Sequence, residues 1–432
     1  MQLTIPRASR RRIATSLAAA TCSLLGVSRG AVVAAEDAGR WQFDTAVLYY
    51  GEQGRVRDGS ANVLIRRTFG GARKLSVKLG IDALPGASAS GATPATSPQT
   101  FTSPSGAASY QTDAGQMPLD PTFHDTRAAA EVGWSQPLGQ SFGANVGISL
   151  SSEFDYFHAG VEGGLSRDFN GKNTTLSLAA SLGFDTVRPV GGVPVGLAAM
   201  QPAGFALERA PDDSKDVADL LLGVTQVLGP RTVGQLNYSF SSSSGYLTDP
   251  YKIVSVIDPD SGDPVAGPGT LFLYLYESRP DTRTKHGLWA QVRHDFGRDI
   301  LDAAYRFTTD DWGVSSHTLD LHYRARLGSG YVEPHARLYT QTAADFYVRN
   351  LYDGDPFPRH ASADYRLGQL DTATLGLKYG RHYRRDAEWN VRVELYSQVG
   401  RSPPGGQVVG TLAGFDLYPT VTAAIVQLGF HY

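Results

Sequence analysis

The chain has 432 residues, with 39 Lys and Arg against 42 Asp and Glu and a formal net charge of −3 at pH 7. That balance lacks the basic footprint of a nucleic-acid binder, so no nucleic-acid partner is expected. The single cysteine, Cys22, excludes an internal disulfide framework and cysteine-based metal sites.

The chain opens with a basic stretch, Arg7, Arg10, Arg11 and Arg12, followed by a mostly apolar run from Ile13 to Val27. Small residues from Ala31 to Ala35 then lead into Glu36 and Asp37. A basic start, a short apolar stretch and small residues before an acidic beginning are the signature of a cleaved secretory signal, here residues 1–35. Ala19, Ala20 and Thr21 fit a lipoprotein box around Cys22 poorly. Residues 36–432 are then one exported domain. No second apolar run of about 18 residues follows, so a transmembrane helix is not expected. Export, 48 Gly, 21 Tyr and no helical span suggest an outer-membrane barrel with aromatic girdles. The competing reading is a secreted β-sandwich or β-helix, and periodicity decides between them.

A membrane strand turns apolar residues to lipid and polar residues to the lumen with period two. From Phe142, residues Ala144, Val146, Ile148 and Leu150 share one face, with Asn145 and Ser149 on the other. From Thr175, residues Leu176, Leu178, Ala180, Leu182 and Phe184 oppose Thr175, Ser177, Ser181 and Asp185. The same alternation sets Leu319, Leu321 and Tyr323 against Asp320, His322 and Arg324, and Val391, Val393 and Leu395 against Arg392, Glu394 and Tyr396. On a helix these charges would smear over every face. The last residues place Val426, Leu428, Phe430 and Tyr432 together. Leu428, Phe430 and Tyr432 resemble the terminal signal by which barrel-assembly machinery recognises its substrates, with Tyr432 where Phe is usual.

Short turns near 70–73, 137–140, 170–173, 229–232, 297–299, 328–330 and 383–386 alternate with longer connections near 85–123, 188–215, 245–284, 348–368 and 401–418. Tighter loops near 51–59 and 310–315 belong with the long ones. The count predicts an all-β, antiparallel up-and-down transmembrane barrel of about 16 strands, with long extracellular loops, short periplasmic turns and both ends in the periplasm. The segment Gly86–Gly115 is rich in Ser, Thr, Ala, Pro and Gly and reads first as a flexible outer loop, with an inward fold that narrows the lumen as the second reading.

The peptides GASASGATP (Gly86–Pro94), LLGVTQVLGPRT (Leu221–Thr232), GYLTDPYK (Gly245–Lys252), ESRPDTR (Glu277–Arg283), YRFTTDDWGVSSHTL (Tyr305–Leu319), YTQTAADFY (Tyr339–Tyr347) and SADYRLG (Ser362–Gly368) occur in order. With them the chain resembles a family of bacterial outer-membrane proteins catalogued as a domain of unknown function. Ala89 stands where that family's first motif usually has proline. The resemblance implies a barrel in the outer membrane and supplies no catalytic residues. The family's genes lie near those of small lipoproteins and flavin-transferring enzymes, which implies a periplasmic lipoprotein partner and a link to envelope redox or metal physiology.

Parity assigns a charged set to the lumen: Arg293, Asp295, Asp302, Arg306, Asp320, His322, Arg324, Arg326, Glu333, His335, Arg337, Lys378, Arg392 and Glu394. Interspersed signs read first as cross-strand ion pairs and second as a selectivity lining. His322 and His335 share inward parity on consecutive strands and can approach each other, but no third metal ligand is evident. Asp258, Asp260 and Asp263 have calcium-loop spacing, yet Pro259, Gly262 and Pro264 favour a loop-tip turn. Trp312 reads as part of the outer aromatic girdle, and Asp310 and Asp311 as strand enders or cation ligands. Ser315, Ser316 and His317 are close in sequence, but nothing orders them into a catalytic set. The expectation is therefore a non-enzymatic barrel without a cofactor, partnered by outer-membrane lipid. It is a channel or transport-associated barrel for small polar solutes or ions, or else a non-conducting structural or docking component of an envelope redox or metal system.

Overall fold

The computed structural model describes residues 39–432 apart from 86–87, 103–108, 122–123, 202–208, 268–270, 385, 402–407 and 419. The expected export signal lies outside the described residues. Sixteen antiparallel strands close into one barrel in chain order. They are β1 (Trp41–Glu52), β2 (Arg57–Phe69), β3 (Arg73–Pro85), β4 (His124–Leu138), β5 (Phe142–Ser152), β6 (Tyr156–Phe169), β7 (Thr174–Val187) and β8 (Asp213–Gly229). The second half comprises β9 (Thr232–Gly245), β10 (Thr282–Asp295), β11 (Ile300–Asp310), β12 (Ser315–Leu327), β13 (Gly330–Gln341), β14 (Leu370–Arg384), β15 (Ala387–Gly400) and β16 (Val421–His431). The first strand pairs with β2 on one side and β16 on the other, with Asp44 opposite His431 and Thr45 opposite Phe430, so no edge is left open.

The alternation fixes which face is which. Along β7 every second residue, Leu176, Leu178, Leu182 and Phe184 among them, is exposed on the outside, while Thr175 and Asp185 are buried within. Leu176, Leu321, Val393 and Phe430 on four different strands are all 38–47% exposed. Left in water, each such side chain would forgo roughly 1.5–3 kcal/mol of burial energy. Repeated around a closed cylinder, this outward apolar belt matches lipid, whereas a soluble barrel turns the same face inward.

All long connections join odd to even strands and emerge at one end of the barrel. The opposite end carries the short turns, the start of β1 and the end of β16. In the turn after β6, Asn170, Gly171 and Lys172 have φ of 50°, 64° and 72°. Gly and Asn enter the left-handed region at low cost, which lets the chain reverse there so tightly.

The long loops form a cap with its own buried core. A three-stranded sheet of Ile253–Ile257, Tyr274–Tyr276 and Leu351–Tyr352 is its centre, and all five residues of its middle strand are buried. The described residues of the Gly86–Gly115 segment, 88–102 and 109–115, join this core and are not a plain outer loop. Phe101 stacks on Tyr110 at 5.1 Å and meets Tyr274 at 4.8 Å. The Thr93 amide donates to Ser255 Oγ at 2.9 Å, and Gln99 Nε2 donates to the Thr93 carbonyl at 2.9 Å. Small side chains that look like a linker in sequence are what let backbone approach backbone here. Gly91, at φ +98°, sits where a Cβ would fall 2.4 Å from the Ile253 carbonyl oxygen.

Trp312 also departs from expectation. It is 4% exposed, edge-on to Phe346 at 5.0 Å, and its indole N–H donates to the Thr282 carbonyl at 2.8 Å. With Arg283 stacked on its ring at 4.2 Å, it anchors the loop 342–369 to the barrel rim and is no part of a lipid-facing girdle.

Candidate functional site

The inner wall of β10 to β16, with Tyr50 of β1, lines a polar cavity of about 830 Å³. Of the residues assigned inward from sequence, Asp302, Arg306, Asp320, His322, His335, Arg337, Arg392 and Glu394 line it. Arg324 and Glu333 pair at 2.5 Å on the same wall, where Arg324 and Lys378 both lie over the Tyr331 ring. Arg293 stands opposite Asp302 in register. Two assignments fall at the short-turn rim instead of the cavity. Asp295 accepts the Gly297 amide at 2.7 Å, and Arg326 is exposed beside the Gly328 turn. Strand parity fixes direction but not depth, so residues at strand ends share the parity and miss the cavity. Leu428, Phe430 and Tyr432 point outward, and Tyr432 stacks on Phe43 at 5.2 Å.

Within the cavity wall several of the charges are held by partners on neighbouring strands. Arg337 Nε donates to Asp320 Oδ2 at 2.5 Å, and Gln291 donates to Asp302 at 2.6 Å. His322 and His335 are opposite in register, and their rings stack at 4.2 Å with planes 7° apart. Asp320, two positions before His322 on the same face, is the third group that sequence reasoning left out: its Oδ1 is 2.8 Å from His322 Nε2. The Asp-x-His spacing on an inward face was the available signal.

Loop residue Arg366 also lines the cavity and links it to the cap. It belongs to the single turn Tyr365–Leu367 and donates to Asp249 at 2.8 Å and Asp364 at 2.5 Å. Behind it lies a buried network. Arg279 reaches Asp364 at 2.9 Å and lies 2.6 Å from Glu277. Glu277, fully buried, also accepts the Ser362 hydroxyl and the Asp249 amide. Burial pushes the Glu277 carboxyl up to about 7; Asp249 and Asp364 push the same way and Arg279 opposes them. Burial also disfavours charge on Asp364, but Arg366, Lys252 and Arg279 hold its carboxyl well below the usual range. Two carboxyls of one network are thus driven apart by which arginines they face.

The other candidates resolve into structure. Asp258 Oδ1 accepts the amides of Asp260 and Ser261 at 3.0 and 2.7 Å, and Asp263 accepts from Thr96 and Thr411, so this loop is a turn that ties two other loops together. Asp310 accepts Arg283 and the Trp312 amide, and Asp311 accepts the Thr284 amide, which ends their strand. His317 faces outward against Tyr305, away from Ser316, which bonds Thr308. A Ser–His–Asp chain does exist elsewhere and was missed. Ser149 Oγ lies 3.1 Å from His158 Nε2, and His158 Nδ1 lies 2.6 Å from Asp185 Oδ1. Lys215 and Tyr156 converge on Asp185 Oδ2 at 2.9 and 2.5 Å, which makes the carboxylate the hub of a wall network across β5 to β8.

A closed meander of 16 strands with an apolar outer belt, a polar interior and capped long loops is a transmembrane β-barrel of the outer-membrane type. The chain belongs to the family described as "Protein of unknown function (DUF3570)", whose model matches residues 14–432. No curated protein matches the sequence. Among solved structures the chain is similar to a bacterial polysaccharide outer membrane secretin, with 8% identity, 91% of this chain and 99% of that chain covered, and a TM-score of 0.44. It is similar to CdiB from Acinetobacter baumannii, with 9% identity, 91% and 60% covered, and a TM-score of 0.44. It is also similar to the high-pH structure of OprB from Pseudomonas putida, with 10% identity, 92% and 95% covered, and a TM-score of 0.40.

Proposed function

We propose that this protein is exported to the outer membrane and serves there as a transport-associated barrel for small polar solutes or ions, gated at its long-loop end by the cap. The polar cavity of about 830 Å³ carries this reading, because a barrel that only filled space would pack its interior with side chains. Its roof includes Arg366, held by cap residues Asp249 and Asp364, so movement of the cap changes the lumen. Lining charges of both signs favour hydrated solutes over one strongly selected ion. The buried core of the cap supports a second reading, a non-conducting outer-membrane component that docks a periplasmic lipoprotein. Single-channel recording in planar bilayers separates the two, with the whole barrel compared against a variant lacking Gly86–Gly115. Conductance from either form supports transport, and conductance only after deletion makes the cap its gate. Silence from both forms rejects the pore and leaves the docking role.

A further inference from the structure

We infer that Asp320, His322 and His335 form a binding site for a divalent first-row transition metal, Zn²⁺ or Cu²⁺, on the lumen wall. One ligand atom from each lies within 4.8 Å of the other two. Two imidazoles and a carboxylate suit borderline ions over Ca²⁺ or Mg²⁺, which prefer oxygen-only sites. The surrounding contacts orient Asp320 and His335 for a metal, whereas His322 Nε2, 2.8 Å from Asp320 Oδ1, must give up a proton when the ion binds. Arg337 holds Asp320 Oδ2 and so presents Oδ1 to the two rings. Glu394 lies 2.7 Å from His335 Nδ1, the carboxylate–imidazole contact that fixes a ligand's tautomer and leaves Nε2 as the donor. His335 is 8% exposed, and its Nε2 is buried without a hydrogen bond among the described residues. Asp320 Oδ1 stands 3.5 Å from it. With Nδ1 protonated, that gap separates two lone-pair acceptors, and a positive centre belongs between them.

The size of the gap fits. Ligands about 2.1 Å from a tetrahedral ion are about 3.4 Å apart, close to the 3.5 Å between His335 Nε2 and Asp320 Oδ1. His322 Nε2, at 2.8 Å from the same oxygen, must retreat slightly, and the parallel rings must splay so that their lone pairs converge. All three residues line the cavity, so a fourth position faces solvent-sized space, as in three-ligand sites that exchange their cargo. The site stands whether or not the barrel conducts.

The test is direct binding by the purified full barrel in detergent, stripped with chelator and titrated with Co²⁺ under visible absorption, with Zn²⁺ as competitor. One equivalent should bind with ligand-field bands of low coordination number, and Cu²⁺ should give an EPR spectrum with coupling to two nitrogens. The H322Q/H335Q double variant should lose binding by about 100-fold or more, and Glu394→Gln should weaken it by about tenfold. His317→Gln, on the outward face of the same strand, should change nothing. Heat-modifiable migration confirms that each variant is folded, and Asp320→Asn replaces the double variant if that one fails to assemble. A stripped wild-type barrel that ignores micromolar Co²⁺ and Zn²⁺ overturns the site; the gap is then filled by a second proton on His335. Undiminished binding by the double variant overturns it as well.

Discussion

Removing Arg279 should unfasten the cap while leaving the barrel intact. Its side chain is 12% exposed and faces Glu277 and Asp364, which are 0% and 1% exposed. Arg279→Ala therefore strands the buried Glu277 carboxylate, since Asp364 keeps Arg366, a change that costs about 3–5 kcal/mol when one partner of a buried pair is deleted. At one decade per 1.36 kcal/mol, this should raise amide exchange in 253–257 and 361–367 by about 150- to 5000-fold. Amides in β5 to β7 should not change. The effect should depend on pH. Glu277 has its folded-state value raised from near 4.5 to about 7, so the folded cap binds that proton more tightly than the open one. Its contribution is fully present below about 4.5 and fades as pH rises through about 7. At pH 5 Glu277 is neutral and the variant should be mildly affected, whereas at pH 8 it should be severely affected. Hydrogen exchange by mass spectrometry at both values measures this. Equal protection of wild type and Arg279→Ala at pH 8 would refute the network as the fastening of the cap.

Other outcomes follow from the same contacts. Spin labels at Leu176, Leu321, Val393 and Phe430 should be reached by oxygen dissolved in lipid and shielded from water-soluble relaxers; water accessibility at these four would invert the barrel faces. Replacing Phe430 and Tyr432 with polar residues should block assembly and leave protease-sensitive periplasmic material, with heat-modifiable gel migration as the check. Gly91→Ala, at φ +98° against the Ile253 carbonyl, should destabilise the cap by about 1–3 kcal/mol and expose 88–102 to limited proteolysis, while the barrel keeps its melting behaviour.

The barrel was legible in sequence because its rule is local and repeats. Leu176 to Phe184 alternate along one strand, and each further strand repeats the test. The cap was not legible because it follows the opposite rule. Phe101, Tyr274 and Ile253 come from three loops far apart in the chain, and nothing within any one loop signals that the others will cover it. Trp312 shows the cost of carrying the barrel rule too far. An aromatic at a strand end fits a girdle, but the Phe346 ring and the Thr282 carbonyl offered it a buried place. Parity brought His322 and His335 together correctly, and Asp320 carried the same parity. Ser149, His158 and Asp185 were all inward as well, but their meeting depends on the registers of two strand pairs, which the chain spells out only once it has folded.

The seam between β1 and β16 shapes how the molecule is made. Phe43 and Tyr432 exchange backbone hydrogen bonds of 2.7 and 3.0 Å, and His431 meets Asp44 at 2.6 Å across 387 positions of chain. Every other neighbouring pair can zip as a local hairpin or across one loop. This one joins partners that only a nearly finished cylinder brings together, so local contacts cannot nucleate it. Until it forms, the two terminal strands show bare amide and carbonyl rows that hydrocarbon cannot satisfy. Ring closure is thus the pairing of greatest sequence separation in the barrel, and a catalyst that held the two edges until they met would act on the contact that local folding helps least.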